Sequence, residues 1–71
     1  MKLHYYPETD SLYIALRAEP GVEVRGVADG LNVDIDARGN VVGFDIDRAS
    51  QRLDLSTLET VALPIKTTRA A

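Results

Sequence analysis

The chain has 71 residues, no cysteine and one histidine, so it forms one small domain in which disulfides, thiolate zinc sites and histidine-rich metal sites are excluded. With 45% hydrophobic and 27% charged residues it has the composition of a folded globule rather than of a disordered chain. The net charge of −3 and the scattering of its few basic residues, with Lys2 and Lys66 the only lysines, argue against a nucleic-acid binder, and no apolar run approaches the roughly 20 residues of a membrane span. The opening stretch "MKLHYYPETD" lacks an apolar signal region, and the cytoplasm is the expected compartment.

The dominant period along the chain is two, that of strands. "KLHYY" sets Leu3 and Tyr5 against His4 and Tyr6, and "SLYIALR" sets Leu12, Ile14 and Leu16 against Tyr13, Ala15 and Arg17. A four-residue loop over Pro7 to Asp10 pairs Tyr6 with Ser11, Tyr5 with Leu12 and Leu3 with Ile14, which puts the apolar sets on one side. Glu19-Pro20-Gly21-Val22 suits a type II turn. The third strand, "VEVRGVA", then places Val22, Val24 and Ala28 inward, and Asp29-Gly30 is a strong hairpin signal. The register that follows pairs Ala28 with Leu31, Val24 with Ile35 and Arg25 with Asp34. In the last hairpin, a loop over Asp36 to Gly39 pairs Val33 with Val42 and Leu31 with Phe44, with Gly39 left-handed.

After Ile46 the period lengthens. Leu53, Leu55, Leu58 and Val61 fall on a roughly helical spacing, Ser56 to Glu59 fits a capping box, and Asp47 is placed to cap an earlier turn from Arg48. Pro64 ends any helix, and a polar tail follows. The expected architecture is α+β: an antiparallel five-stranded meander and a short C-terminal helix, in a single domain over residues 1–65 with a tail over 66–71.

The acids of the last hairpin, Asp34, Asp36, Asp45 and Asp47, alternate with inward apolar residues, so the simplest reading is the wet face of an antiparallel sheet. The stretch 34–45 partly mimics a calcium loop, with Asp34, Asp36 and Gly39 in place, but Arg38 falls where an oxygen ligand belongs and Asp45 where a longer glutamate does. A flat wet face offers neither the cleft nor the desolvation that paired-carboxylate hydrolysis needs. His4 has no serine or cysteine nucleophile beside it in any of these pairings. Tyr6 and Tyr13 share the outer face and are amphipathic anchors of the kind found at interfaces. The candidate interaction surface is therefore Tyr6, Tyr13, Asp34, Asp36, Asp45 and Asp47; no catalytic residue, cofactor or dedicated metal ligand is expected.

Five strands make a sheet roughly 20 Å wide, whereas one helix is only about 10 Å across with its side chains. Half of the apolar face is left over, and a second copy of the chain is the expected cover.

The stretches "YYPETDSLYIAL" (5–16), "VADGLNVDIDARGNVVGFDID" (27–47) and the following "RAS" (48–50) resemble a small bacterial family, the domain of unknown function numbered 2283. Its members typically read Tyr-Asp-Pro-Glu-x-Asp-x-Leu-Tyr-Ile and then carry a glycine- and aspartate-spaced stretch ending Gly-Ile-Glu-Ile. Here Tyr6 stands before Pro7 where aspartate is usual, and Phe44-Asp45-Ile46 replaces Ile-Glu-Ile. The resemblance brings no established activity or catalytic residue, but it implies an association of some members with small toxin-like proteins. The expected function is a non-enzymatic protein-interaction module acting as a homodimer. Its alternatives are an antitoxin-like partner that masks a small basic toxin with the acidic face, and a weak divalent-ion binder or small hydrolase.

Overall fold

A computed structural model describes residues 1–65; the expected tail over 66–71 lies outside them. Five antiparallel strands form one sheet: β1 (Lys2–Tyr6), β2 (Ser11–Ala15), β3 (Glu23–Ala28), β4 (Leu31–Ile35) and β5 (Val41–Ile46), followed by the one-turn helix α1 (Ala49–Arg52). This is the α+β class that the alternation implies. The strand order is β1-β2-β5-β4-β3, so the path departs from a consecutive meander at one step. β2 lies beside β5 instead of β3, and the segment holding Pro20 and Gly21 carries the chain from β2, next to one edge of the sheet, to the opposite edge.

The first hairpin has the register that its alternation requires, with Tyr6 opposite Ser11, Tyr5 opposite Leu12 and Leu3 opposite Ile14. The last hairpin differs from expectation by two residues: Val33 faces Phe44 and Leu31 faces Ile46. One residue of the difference arises in the turn, and the other in an irregularity between Asp34 and Ile35, where Ile35 faces Val41. Asp36 accepts hydrogen bonds on Oδ1 from the backbone N–H groups of Arg38 and Asn40, both at 2.9 Å, and its own N–H donates to Asn40 O. The loop is thereby lengthened to Asn40, with Gly39 left-handed at φ 90° as expected. A shift of two preserves the faces, so the apolar set survives the change.

β3 does not survive it. Ala28 pairs with Leu31, but an irregularity between Gly26 and Ala28 slips the rest by one residue. Arg25 then opposes Val33, not Asp34, and Val24 opposes Asp34, not Ile35. Every side chain before the bulge changes face. Val22 and Val24, expected inside, are exposed, while Glu23 and Arg25 take the margin of the apolar face and pair with each other at 2.5 Å. Charges turned inward and a bulge on an edge strand both discourage another strand from pairing there.

The core is thin. Leu12, Val33, Ile35, Val42 and Ala49 are its buried apolar residues, and Val42 at 2% exposed is the largest of them that is fully enclosed. The β1 end of the same face stays open, with Leu3 40% and Tyr5 41% exposed. The helix expected from Ser56 does not form. Asp54 accepts hydrogen bonds from Ser56 N–H and from the Ser56 and Thr57 hydroxyls, a local turn that takes over the donors a helix start would use. Leu53 leaves α1 in an extended conformation, and every residue from Leu53 to Ile65 is exposed. No helix among the described residues is long and apolar enough to cross a membrane.

Candidate functional site

Directly opposed residues of an antiparallel pair share a face, so the register assembles the outer surface. His4 faces Tyr13, Tyr13 faces Asp45, and Asp45 faces Asn32 across three successive strand pairs. One residue pair further along, Ala15 and Asp34 flank Gly43 of β5. Gly43 has no side chain, and the Tyr13 ring lies over its Cα. The phenol thereby crosses β5 and donates from its hydroxyl to Asp34 Oδ2 at 2.6 Å. Asp34 is further covered by Gly21, where a Cβ would stand 3.0 Å from the Asp34 Cβ. The bond to Asp34, followed by partial desolvation, pushes the Tyr13 phenol up to about 12.

Asp45 is placed differently. It forms none of the salt bridges among the described residues. Desolvation raises its carboxyl above the usual aspartate range, and the negative charges of Asp47 and Asp34 add to the rise. With Tyr6, Thr9, Ser11 and Tyr13 it lines an open groove of about 350 Å³. Tyr6 is stacked on His4, ring centroids 4.2 Å apart, which holds one wall of the groove. The floor is thus a half-buried carboxylate, and the walls are two aromatic rings and two hydroxyl-bearing side chains.

The folded state binds the Asp45 proton more tightly than the unfolded chain does, so this group weakens the fold at neutral pH and the deficit disappears as pH falls through its raised value. Asp45→Asn is expected to raise the melting temperature at pH 7 by a few degrees, with the gain vanishing in acid; thermal melts at pH 7 and pH 4 check this. An unchanged melting temperature at pH 7 contradicts the crowding of charge.

Of the six candidate surface residues, Tyr6, Tyr13, Asp34 and Asp45 come together on the outer face. Asp47 sits past the end of β5, exposed, its N–H donating to Gly30 O. Asp36 does not belong to that surface: its carboxylate is occupied by its own turn, and the Asn40 N–H, the leading cause, holds its pKa below the ordinary value. Among the described residues no three histidine, aspartate or glutamate side chains converge in a way that would hold a metal ion.

Two further clusters escaped the sequence reading. Asp10, at φ 53°, accepts from Ser50 N–H at 3.1 Å, from the Ser50 hydroxyl at 2.7 Å and from the Tyr5 hydroxyl at 2.7 Å, and its carbonyl accepts from Ala49 N–H. It caps α1 from across the sheet, the role assigned above to Asp47; the N-cap position itself, Arg48, has no side-chain cap. On the other side, Arg48 reaches Asp29 Oδ2 at 3.0 Å and Arg52 at 3.8 Å. Asp47 to Arg52 therefore clasps both hairpin turns at one end of the sheet. The pieces of this clasp, "PETD", "DG" and "DRAS", lie within the stretches that resemble the family.

The sequence pattern of the family described as "Protein of unknown function (DUF2283)" matches residues 2–50, from the start of β1 to the serine held by Asp10. The chain belongs to this family. The matched part comprises the whole sheet and the beginning of the clasp, and it stops short of the exposed segment after α1. No curated protein and no solved structure matches the chain.

Proposed function

We propose that this DUF2283 protein is a non-enzymatic interaction module that works in the bacterial cytoplasm as a homodimer. The observation that carries the reading is surface area. The chain exposes 5758 Å². A compact monomer of 7.8 kDa is expected to expose about 4,400 Å². Setting aside the most that residues 66–71 could contribute, about 900 Å², still leaves an excess of roughly 700 Å² over a compact 65-residue chain. A standard protein interface buries about 800 Å² per partner. The excess is rich in apolar side chains, from Leu3 and Tyr5 on β1 to Leu58 and Val61 beyond α1. Sedimentation equilibrium at micromolar concentration is expected to return twice the chain mass of 7.8 kDa. A single-chain mass at that concentration refutes the homodimer.

The groove at Asp45 favours a second reading, in which the acidic outer face receives a small basic partner in the manner of an antitoxin. A carboxylate that pairs with no cation among the described residues and has two aromatic walls suits a lysine or arginine side chain, which gains both charge attraction and contact with a ring face. Binding of this kind weakens as salt rises, and equal retention of a co-purified basic partner in low and high salt argues against it.

A further inference from the structure

We propose that the segment from Leu53 to Ile65 is the docking element of the homodimer, and that the segment of each copy lies on the open β1 end of the other's apolar face. This rests on the dimeric reading above and adds the location of the seam. Three observations converge on it. The segment carries six large apolar side chains in thirteen residues, yet all thirteen are exposed in the single chain; Leu58 is 76% and Val61 79% exposed. Its backbone contributes nothing to the sheet, and Asp54 diverts its start into a local turn instead of a helix that would pack on its own sheet. The segment begins beside the uncovered end of the face, because Tyr5 and Ser50 share the Asp10 carboxylate and Leu53 follows three residues later.

The occupant is a second copy, since one chain presents both halves of the contact. A two-fold arrangement lets each segment cover the face that the other leaves bare, and a reciprocal exchange of this kind closes without free apolar surface. The area is of the right size: the excess per chain, roughly 700 Å² after the allowance for residues 66–71, matches one partner's share of a standard interface. The opposite edge is the poorer seam, because β3 carries the bulge and the inward Glu23–Arg25 pair.

The test uses the full chain with Leu58→Asp and Val61→Asp together. Both side chains are exposed in the single chain, so charge there costs the monomer fold little, and the dimer is expected to weaken at least 100-fold. Sedimentation then reads one chain mass, with the far-ultraviolet circular dichroism unchanged. A control with Val22→Lys and Val27→Lys, exposed apolar positions near the β3 edge, is expected to stay dimeric. If the wild type is dimeric and the Leu58/Val61 variant is equally so, the seam lies elsewhere: this inference falls and the homodimer stands. If the wild type is monomeric, both fall. Hydrogen exchange on the wild type keeps the question open to refutation if the variant does not fold. Amides from Leu53 to Ile65 are expected to gain protection as concentration rises through the dissociation constant, and protection that ignores concentration overturns the proposal.

Discussion

Gly43→Ala is expected to lower stability by about 3 kcal/mol, a fall in melting temperature of more than about 10 °C for a domain of this size. The added methyl would lie 2.6 Å from the Tyr13 Cζ and closer still to the hydroxyl. Gly43 sits on β5, between β2 and β4, where the backbone is hydrogen-bonded on both sides and has little room to yield. The ring must leave, and with it the 2.6 Å bond to Asp34. A lost hydrogen bond to a charged group alone costs about 1.5–3 kcal/mol, and the packing of the ring over β5 is lost with it. Tyr13→Phe, which removes the hydroxyl and keeps the ring, is expected to cost about half as much. Urea denaturation of the two variants checks the difference; equal losses would show that the ring swings aside freely. The phenol offers a second reading of the same contact. Its raised pKa keeps the protonated form in the fold, so the stability it contributes is complete below the ordinary tyrosine value near 10 and is lost as pH rises through about 12. In Gly43→Ala the last phase of a spectroscopic tyrosine titration is expected to move down toward that ordinary value.

Loss of the Asp10 carboxylate is expected to detach the clasp. Asp10→Ala removes the acceptor of three hydrogen bonds at once and leaves a residue that tolerates the left-handed backbone less well. The melting temperature should fall by several degrees, further than for Tyr5→Phe, which removes one of the three donors. The fold also acquires an acid sensitivity here. The Ser50 hydroxyl first, and then the Tyr5 hydroxyl, hold the Asp10 carboxyl below the usual aspartate range. The contribution is present above the unfolded value of about 3.9 and disappears as pH falls through the lower folded value. Asp10→Asn suits the left-handed backbone and keeps one acceptor oxygen, so melts from pH 6 to pH 2 are expected to show a shallower acid decline than in the wild type. An acid limb of unchanged slope would place the sensitive group elsewhere.

These two contacts explain why so small a sheet holds together with a five-residue core. The centre of the outer face is tied by one phenol across β5, and one end of the sheet is tied by carboxylates that reach α1 from the β1–β2 and β3–β4 turns. The Asp45 carboxylate belongs to neither tie. Desolvation, and then the like charges of Asp47 and Asp34, raise its pKa, so at neutral pH it weakens the fold rather than supporting it.

The sequence by itself determined what depends on neighbours in the chain. Alternation placed all five strands, because one face of each hairpin had to collect its apolar residues. It also gave the first hairpin its register, because a four-residue loop over Pro7 to Asp10 puts Leu3, Tyr5, Leu12 and Ile14 on one side. It put Tyr6, Tyr13, Asp34 and Asp45 on one outer face, since the face of each follows from the pleat alone. A glycine within a strand was a legible sign of close approach at Gly43, but not of what approaches. Tertiary structure alone decided the rest. The bulge at Gly26 reversed Val24 and Arg25, because one extra residue inverts a strand and the local pattern of "VEVR" is equally apolar and charged either way. The placement of β5 beside β2 joined Tyr13 to Asp34 across 21 positions, and the return of Ser50 to Asp10 spanned 40. The helix expected after Ser56 was absent because propensity over so few residues is weaker than a single aspartate bonding its own turn. Contacts between residues far apart in the chain depend on which surfaces meet, and that is settled only when the whole sheet closes.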